Sequence, residues 1–320
     1  MKRWRVGVIL FGLLAVSLST SHAGGGVLFV DSYHEGYFWS DSIRTAAATA
    51  LAEHGVAVTA LHMDTKRNTS EAFKKKAGVA VRDHIEANAY DLVIAADDNA
   101  SRYVVMPFYK NAGPPVVFCG VNWDASVYGY PYSNATGMVE ISPIGLALKH
   151  LRPLASGPRI AILLSDHTTG RKNLESFTQI LNMTFAAEAL VSTFEGWKQA
   201  FLDLQETADM LLLSAPGGIS GWDFAEAEEF ILSNVRIPIG TDEPEYKRLA
   251  LLGVAKIPEE HGEYAAAVAR KILGGASPSD FPVVQSQRGD LVLNMKIAQK
   301  LGIRFPFDLV KMTKPENIIR

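Results

Sequence analysis

A short apolar run that stops on a polar tip recurs through this chain, three times in each half, and it leaves few folds open. The first half holds VLFVDSY from Val27, DLVIAADDN from Asp91 and VVFCGVNWD from Val116. The second holds AILLSDH from Ala161, DMLLLSAPG from Asp209 and IPIGTDEPE from Ile237, in the same order. Each run is too short for a helix and too continuously apolar for a strand with a wet face. That is how a strand covered on both sides of a parallel sheet reads. Helical patterns lie between the runs. One opens near Ser40–Asp41, with Ser or Asp as N-cap and Ile43, Ala46, Ala47, Ala50 and Leu51 at helical spacing. A second is capped by Thr69–Ser70 and runs to about Asn88 with Ala72, Phe73, Ala77, Val81 and Ile85 inward, and a third spans Ala100 to Asn111. In the second half, helices are expected over Ile144–Leu151, about Gly170–Phe185 and Asp223–Ser233, with a strand near Ala189–Phe194. Alternating strand and helix predicts a doubly wound parallel sheet. The correspondence between halves is one of architecture, not of near-identical sequence. The fold class is therefore α/β, with two Rossmann-like lobes that aim polar strand tips across a cleft.

The last segment has a different rhythm. A strand over Leu251–Ile257, a helix over Glu259–Leu273 stopped by Gly274-Gly275, a strand over Leu291–Asn294 and a helix over Met295–Leu301 read as chain crossing back between the lobes in a multi-strand hinge. The division this predicts is a leader over 1–23, a first lobe of 24–140 plus 258–284, and a second lobe of 141–257 plus 285–320.

The leader reads as a secretory signal. Lys2, Arg3 and Arg5 are followed by an apolar stretch from Val6 to Val16 and a small-x-small site at Ser21-His22-Ala23. The apolar stretch is short of the roughly 20 residues that span a bilayer. Removing it leaves 28 basic residues against 34 acidic ones, a net charge of −6. Such a surface, with no basic cluster, does not favour nucleic acid. The single cysteine, Cys119, lies in an apolar run and provides no disulfide framework. The expectation is an exported, periplasmic monomer that is not embedded in the membrane.

With these features in place, the chain resembles the type I periplasmic binding proteins, in the branch of ABC transporter substrate-binding proteins that includes tryptophan-binding members. The resemblance is most specific in HGEYAAAVARKILGGASPSDFPV and LVLNMKIAQKLGIRFP, through Gly262, Tyr264, Ala267, Ile272, Leu273, Gly274, Asn294, Ala298, Leu301, Gly302 and Pro306. The opening SYHEGYFWSDSI is similar to a subset associated with sensor kinases. The resemblance implies a Venus-flytrap fold that closes on a solute and presents it to a membrane partner, an ABC permease or a sensor kinase. It implies neither enzymatic activity nor a cofactor.

The candidate site follows from the tips. Tyr33, Trp39 and Trp123 offer apolar planes to cover a small solute, beside the polar groups of Ser32 and Asn122. Asp97, Asp98 and Asp242 stand at strand ends, where a carboxylate holds an ammonium or a hydroxyl or simply caps the next helix. The turns at Ser165-Asp166 and Ser214-Ala215 present backbone N–H groups suited to an anionic end. An amino acid, with its amine at Asp97 or Asp242 and its carboxylate at Ser165 or Ser214, fits this pattern. So does a sugar or nucleoside stacked on Trp and bonded by Asp and Asn122. No His or Cys stands beside the carboxylates at metal-ligand spacing, and no G-x-S-x-G, P-loop or GxGxxG motif is present. His34, His167 and His261 read as loop or surface residues.

Overall fold

The computed structural model describes residues 25–215, 217–243 and 246–320. The leader expected over 1–23 lies outside the described residues. In the first lobe the chain runs β1 (Val27–Asp31), α1 (Phe38–Ala52), β2 (Val58–His62), α2 (Glu71–Ala87) and β3 (Leu92–Ala96). It continues through α3 (Asp97–Ala100), a π-helical turn (Ser101–Val105) and α4 (Met106–Phe108) to β4 (Val116–Asn122) and β5 (Ala135–Glu140). The second lobe begins with α5 (Ile144–Leu151), β6 (Ile160–Ser165), α6 (Thr168–Gln179) and β7 (Ala187–Val191). It goes on through α7 (Phe194–Thr207), β8 (Met210–Leu213), α8 (Phe224–Asn234), β9 (Ile239–Thr241) and β10 (Leu252–Lys256). The tail adds α9 (Pro258–Leu273), β11 (Val284–Gln285), β12 (Gly289–Asn294), α10 (Met295–Leu301), α11 (Phe307–Met312) and β13 (Ile318–Ile319).

Two sheets result. The first has the order β11-β5-β4-β3-β1-β2 and the second β13-β12-β10-β9-β8-β6-β7. Counted from each sheet's own first strand, both contain the order 2-1-3-4-5, a common doubly wound arrangement. Only β10 and β12 pair antiparallel; the remaining pairs among the described strands are parallel. The central strands β1, β3, β6 and β8 are buried along their whole length, which is why their sequences carry no alternation. The chain passes between the sheets after β5, after β10 and after β11, so three connections join them.

The expected helices form, with shifted edges. α1 begins at Phe38, and its N-cap is Tyr37 without a side-chain cap. Asp41 instead accepts the Gly36 N–H at 2.8 Å, and Ser40 is buried. The β4 strand outruns its expected end at Cys119. A bulge between Phe118 and Val121, with Gly120 at φ 67°, lets the ladder resume and carries Asn122 to the tip. The segment after the third strand turns helical at once from Asp97, and the expected 100–111 helix ends at Phe108. α6 stops at Gln179, short of the expected Phe185. The sequence reading omitted α7, whose Thr193 accepts the Gly196 N–H and whose Phe194, Trp197, Phe201 and Leu204 are buried.

Candidate functional site

In a 2-1-3-4-5 sheet the strand order reverses between the first and third strands, and the loops leaving their carboxyl ends diverge to open a crevice. In the first lobe that point lies between the end of β1, at Asp31, and the start of α3, at Asp97. In the second it lies between Ser165 and Ser214. A cavity of about 370 Å³ opens at the first of these points. Tyr33, Trp39, Asp97 and Asn122 line it from the first lobe, together with Tyr37, Phe38 and Glu140. Glu243 and Lys256 line it from the second, and Pro258 of α9 completes it. The site is thus shared by both sheets. Larger grooves, of about 710 Å³ along α1 and α9 and about 560 Å³ beside α2, lie on the outer surface and hold none of the strand tips.

The aromatic wall is built by the loop between β1 and α1. Tyr33 and Tyr37 meet edge to face with ring centroids 5.0 Å apart, and Lys66 Nζ lies 5.0 Å and 4.6 Å from the two centroids. Burial, with Asp97 and Asp98 nearby, pushes the Tyr33 phenol well above its ordinary value. Trp39, in the first turn of α1, packs its ring 5.8 Å from His261.

Asp97 forms the polar floor. It is 1% exposed, and its backbone sits at φ 68°, left-handed for a residue with a side chain. Its Oδ2 is buried without a hydrogen-bond partner. Burial is the main reason its carboxyl is raised well above the ordinary range, and Glu140, Asp31 and Asp98 raise it further. The Trp39 side chain draws it back only in part. Trp123 at φ 61° and Ala215 at φ 46° carry the same backbone strain, so three strand tips hold a conformation that costs of order 1–3 kcal/mol each. Such strain persists where the surrounding structure demands it.

Several other expected residues are committed elsewhere. The Ser32 hydroxyl donates to Ala96 O at 2.6 Å and accepts the Ala100 N–H at 2.8 Å, tying β1 to β3 beneath the cavity. Asp98 accepts Asn122 Nδ2 at 2.7 Å and Tyr128 Oη at 2.8 Å, so it orients Asn122 and stays off the cavity wall. Trp123 meets Phe177 of α6 edge to face at 5.6 Å, a contact from one lobe to the other beside the cavity. In the second lobe Asp166 pairs with Arg171 at 2.5 Å, and Ala215 N–H donates to Glu243 Oε1 at 3.4 Å. The Ser165 and Ser214 hydroxyls are buried without hydrogen-bond partners, as is Asp242 Oδ1. Ser142 donates to the other Asp242 oxygen, and Ser214 lies close enough to lower that carboxyl without the geometry of a full hydrogen bond. Burial outweighs both and raises the Asp242 pKa.

Six lining residues were not among the expected ones: Tyr37, Phe38, Pro258 and the charged Glu140, Glu243 and Lys256. Glu140 ends β5 and Lys256 ends β10, and Lys256 Nζ donates to Glu140 Oε1 at 2.6 Å across the hinge. The desolvation that lowers the Lys256 pKa is outweighed by Glu140, Glu243 and Asp242, so the ammonium stays charged. His261 also departs from its surface reading: it is 1% exposed in the first turn of α9.

Residues 230–316 match the family model described as ABC transporter substrate binding protein. Residues 24–140, the larger part of the first lobe, lie outside that match, and the whole-chain likeness comes from solved structures. A ligand-free, open substrate binding protein with adhesive properties from Clostridium difficile aligns over 92% of this chain and 98% of its own, at 18% identity and a TM-score of 0.67. The fold is that of an ABC-transporter substrate-binding protein. The resemblance drawn from the carboxyl third of the sequence therefore holds, and so does the two-lobe, type I periplasmic binding architecture it implied. An ABC domain from Streptococcus pneumonia in complex with L-Trp shares this substrate-binding fold over 93% of this chain and all of its own, at 18% identity and a TM-score of 0.55. A conserved domain protein from Vibrio cholerae does so over 92% and 100%, at 17% identity and a TM-score of 0.55. No curated protein matches in sequence.

Proposed function

We propose that this chain is a periplasmic solute-binding protein, not an enzyme, that captures a small organic solute between its lobes and delivers it to an ABC importer. The observation that carries this reading is the cavity itself. Aromatic planes and a carboxylate with one unpartnered oxygen from one lobe face charged side chains from the other, at the crevice where doubly wound sheets bind ligands. We assign the lobes to 24–140 plus 258–284 and 141–257 plus 285–320, which sheet membership supports. The ligand set is drawn from Tyr33, Trp39, Asp97 and Asn122 on one side. Ser165, Ser214, Ala215 and Asp242 approach from the other as the lobes close. An amino acid with an aromatic or apolar side chain and a sugar or nucleoside both fit a site of this size.

The same clamp would serve a membrane sensor kinase, the reading favoured by the SYHEGYFWSDSI loop. A permease and ATPase, or a kinase, encoded beside this gene would separate the two. The clamp itself is tested by a thermal-shift screen of the purified chain against amino acids, amines, nucleosides and sugars. A true ligand at a hundredfold excess over its Kd adds about 2.7 kcal/mol of stability and raises the melting temperature accordingly. A library without a stabilising solute would remove the solute-binding reading.

A further inference from the structure

The charge of the cleft narrows what it takes. Asp97 brings a buried carboxylate to the cavity floor with its Oδ2 unpartnered; the Trp39 side chain bonds the group, and the charges that press on it, Asp31, Asp98 and Glu140, are all of one sign. Around the same cavity stand Glu140 and Glu243, against a single cation among the described lining residues, Lys256. That cation is already committed: its Nζ is 2.6 Å from Glu140 Oε1. The nearby His62 is likewise taken, 2.9 Å from Asp31 Oδ2. An unpaired buried carboxylate is costly, and a neutral hydroxyl offers it one donor without charge. An ammonium offers three donors and cancels the charge. The walls beside Asp97 are the rings of Tyr33, Tyr37 and Trp39; Lys66 Nζ already stands over the first two, at 5.0 Å and 4.6 Å from their centroids, and the Trp39 ring also attracts cations.

We propose that the ligand is an organic cation, a primary amine on an aromatic or apolar body, bound with its ammonium on Asp97 and carrying no compensating carboxylate. A zwitterion would bring its carboxylate beside Asp97, where like charges repel at low dielectric, and the one cation among the described lining residues, Lys256, is already held by Glu140. The carboxylates do not converge as metal ligands: among the described residues no group of three or more His, Cys, Asp or Glu is placed to hold a metal ion. This inference rests on the cleft being the solute site, and its test separates the two.

The experiment is calorimetric titration of the purified chain with matched pairs: phenethylamine and phenylalanine, tyramine and tyrosine, tryptamine and tryptophan, with glucose and adenosine as neutral controls. The amine of the preferred pair should bind at least about tenfold more tightly than its amino acid. Asp97→Asn should weaken that amine by roughly thirtyfold or more. Its unliganded melting temperature should be no lower than the native one, because Asn tolerates left-handed backbone and carries no charge to desolvate. Tighter binding of an amino acid or a neutral solute, or an amine affinity unmoved by Asp97→Asn, overturns the amine assignment and leaves the solute-binding reading standing. Failure of these compounds and of the wider screening library to bind overturns both.

Discussion

His261 illustrates how one side chain in this molecule responds to pH. Its Nδ1 accepts the Gly120 N–H at 3.3 Å, so the ring is neutral, with its proton on Nε2. It faces Trp39 and Gly120 and feels Glu260 and Lys256; burial outweighs Glu260 and pushes the pKa down to about 4. In the unfolded chain the ring takes up a proton near pH 6.5. The unfolded state therefore binds more protons than the native one between about pH 6.5 and 4, and stability falls with acidification across that window. The loss from this residue amounts to about 3 kcal/mol. His261→Asn keeps an acceptor near Gly120 and removes the titration. Denaturant melts from pH 7 to 4 should show wild type losing about 3 kcal/mol more than the variant; parallel profiles would contradict this placement. Asp97 titrates with the opposite slope. Its folded pKa is raised, so its burden on the ligand-free protein grows as pH rises from the ordinary carboxylate range up to that raised value.

At the scale of elements, the first lobe depends on α9 returning across the hinge to lie on α1. The approach is close because Gly262 has no side chain: a Cβ there would stand 2.2 Å from Ile43 O and 2.9 Å from the Ala46 Cβ. Ala47, Ala265, Ala266 and Ala269 fill the rest of the contact with small side chains. Gly262→Ala must push the helices apart, and overpacking of this kind costs about 1–3 kcal/mol. A melting temperature lowered by several degrees is expected; an unchanged one would mean the two helices have slack. This scale also shows what the sequence can and cannot say. The six buried strands and their tips were legible because burial on both faces leaves an apolar run that ends where the loop meets water. α7 was missed because only Ser192-Thr193 separate it from β7, so Phe194 reads as more strand. Its Phe194, Trp197, Phe201 and Leu204 spacing was the signal that would have found it. Tyr33, Trp39, Asp97 and Asn122 could be placed because each follows a strand at a predicted mouth. Glu140 and Lys256 could not, since each ends a hinge strand and meets the other only when two sheets are assembled. Ser32 and Asp98 could not be told from ligand contacts, because the bonds that occupy them run 64 residues along the chain for Ser32 and 24 and 30 for Asp98.

At the scale of the whole molecule, the proposed function is the difference between an open and a closed clamp. A solute that touches both lobes only when they are together shifts the population by its differential affinity for that state. The lobes already meet through Trp123 and Phe177 and through Glu140 and Lys256, and the unpartnered Ser165, Ser214 and Asp242 atoms await a partner on the second lobe. Cys119, the single cysteine, is buried and leaves the chain free for site-directed labelling. The most direct test is therefore a distance measurement by double electron–electron resonance, with spin labels at Glu35→Cys on the first lobe and Thr168→Cys on the second, both exposed and off the cavity wall. On saturation with the amine that stabilises the protein most, the distribution should narrow and move shorter by several ångströms. An identical distribution with and without that solute would contradict the clamp.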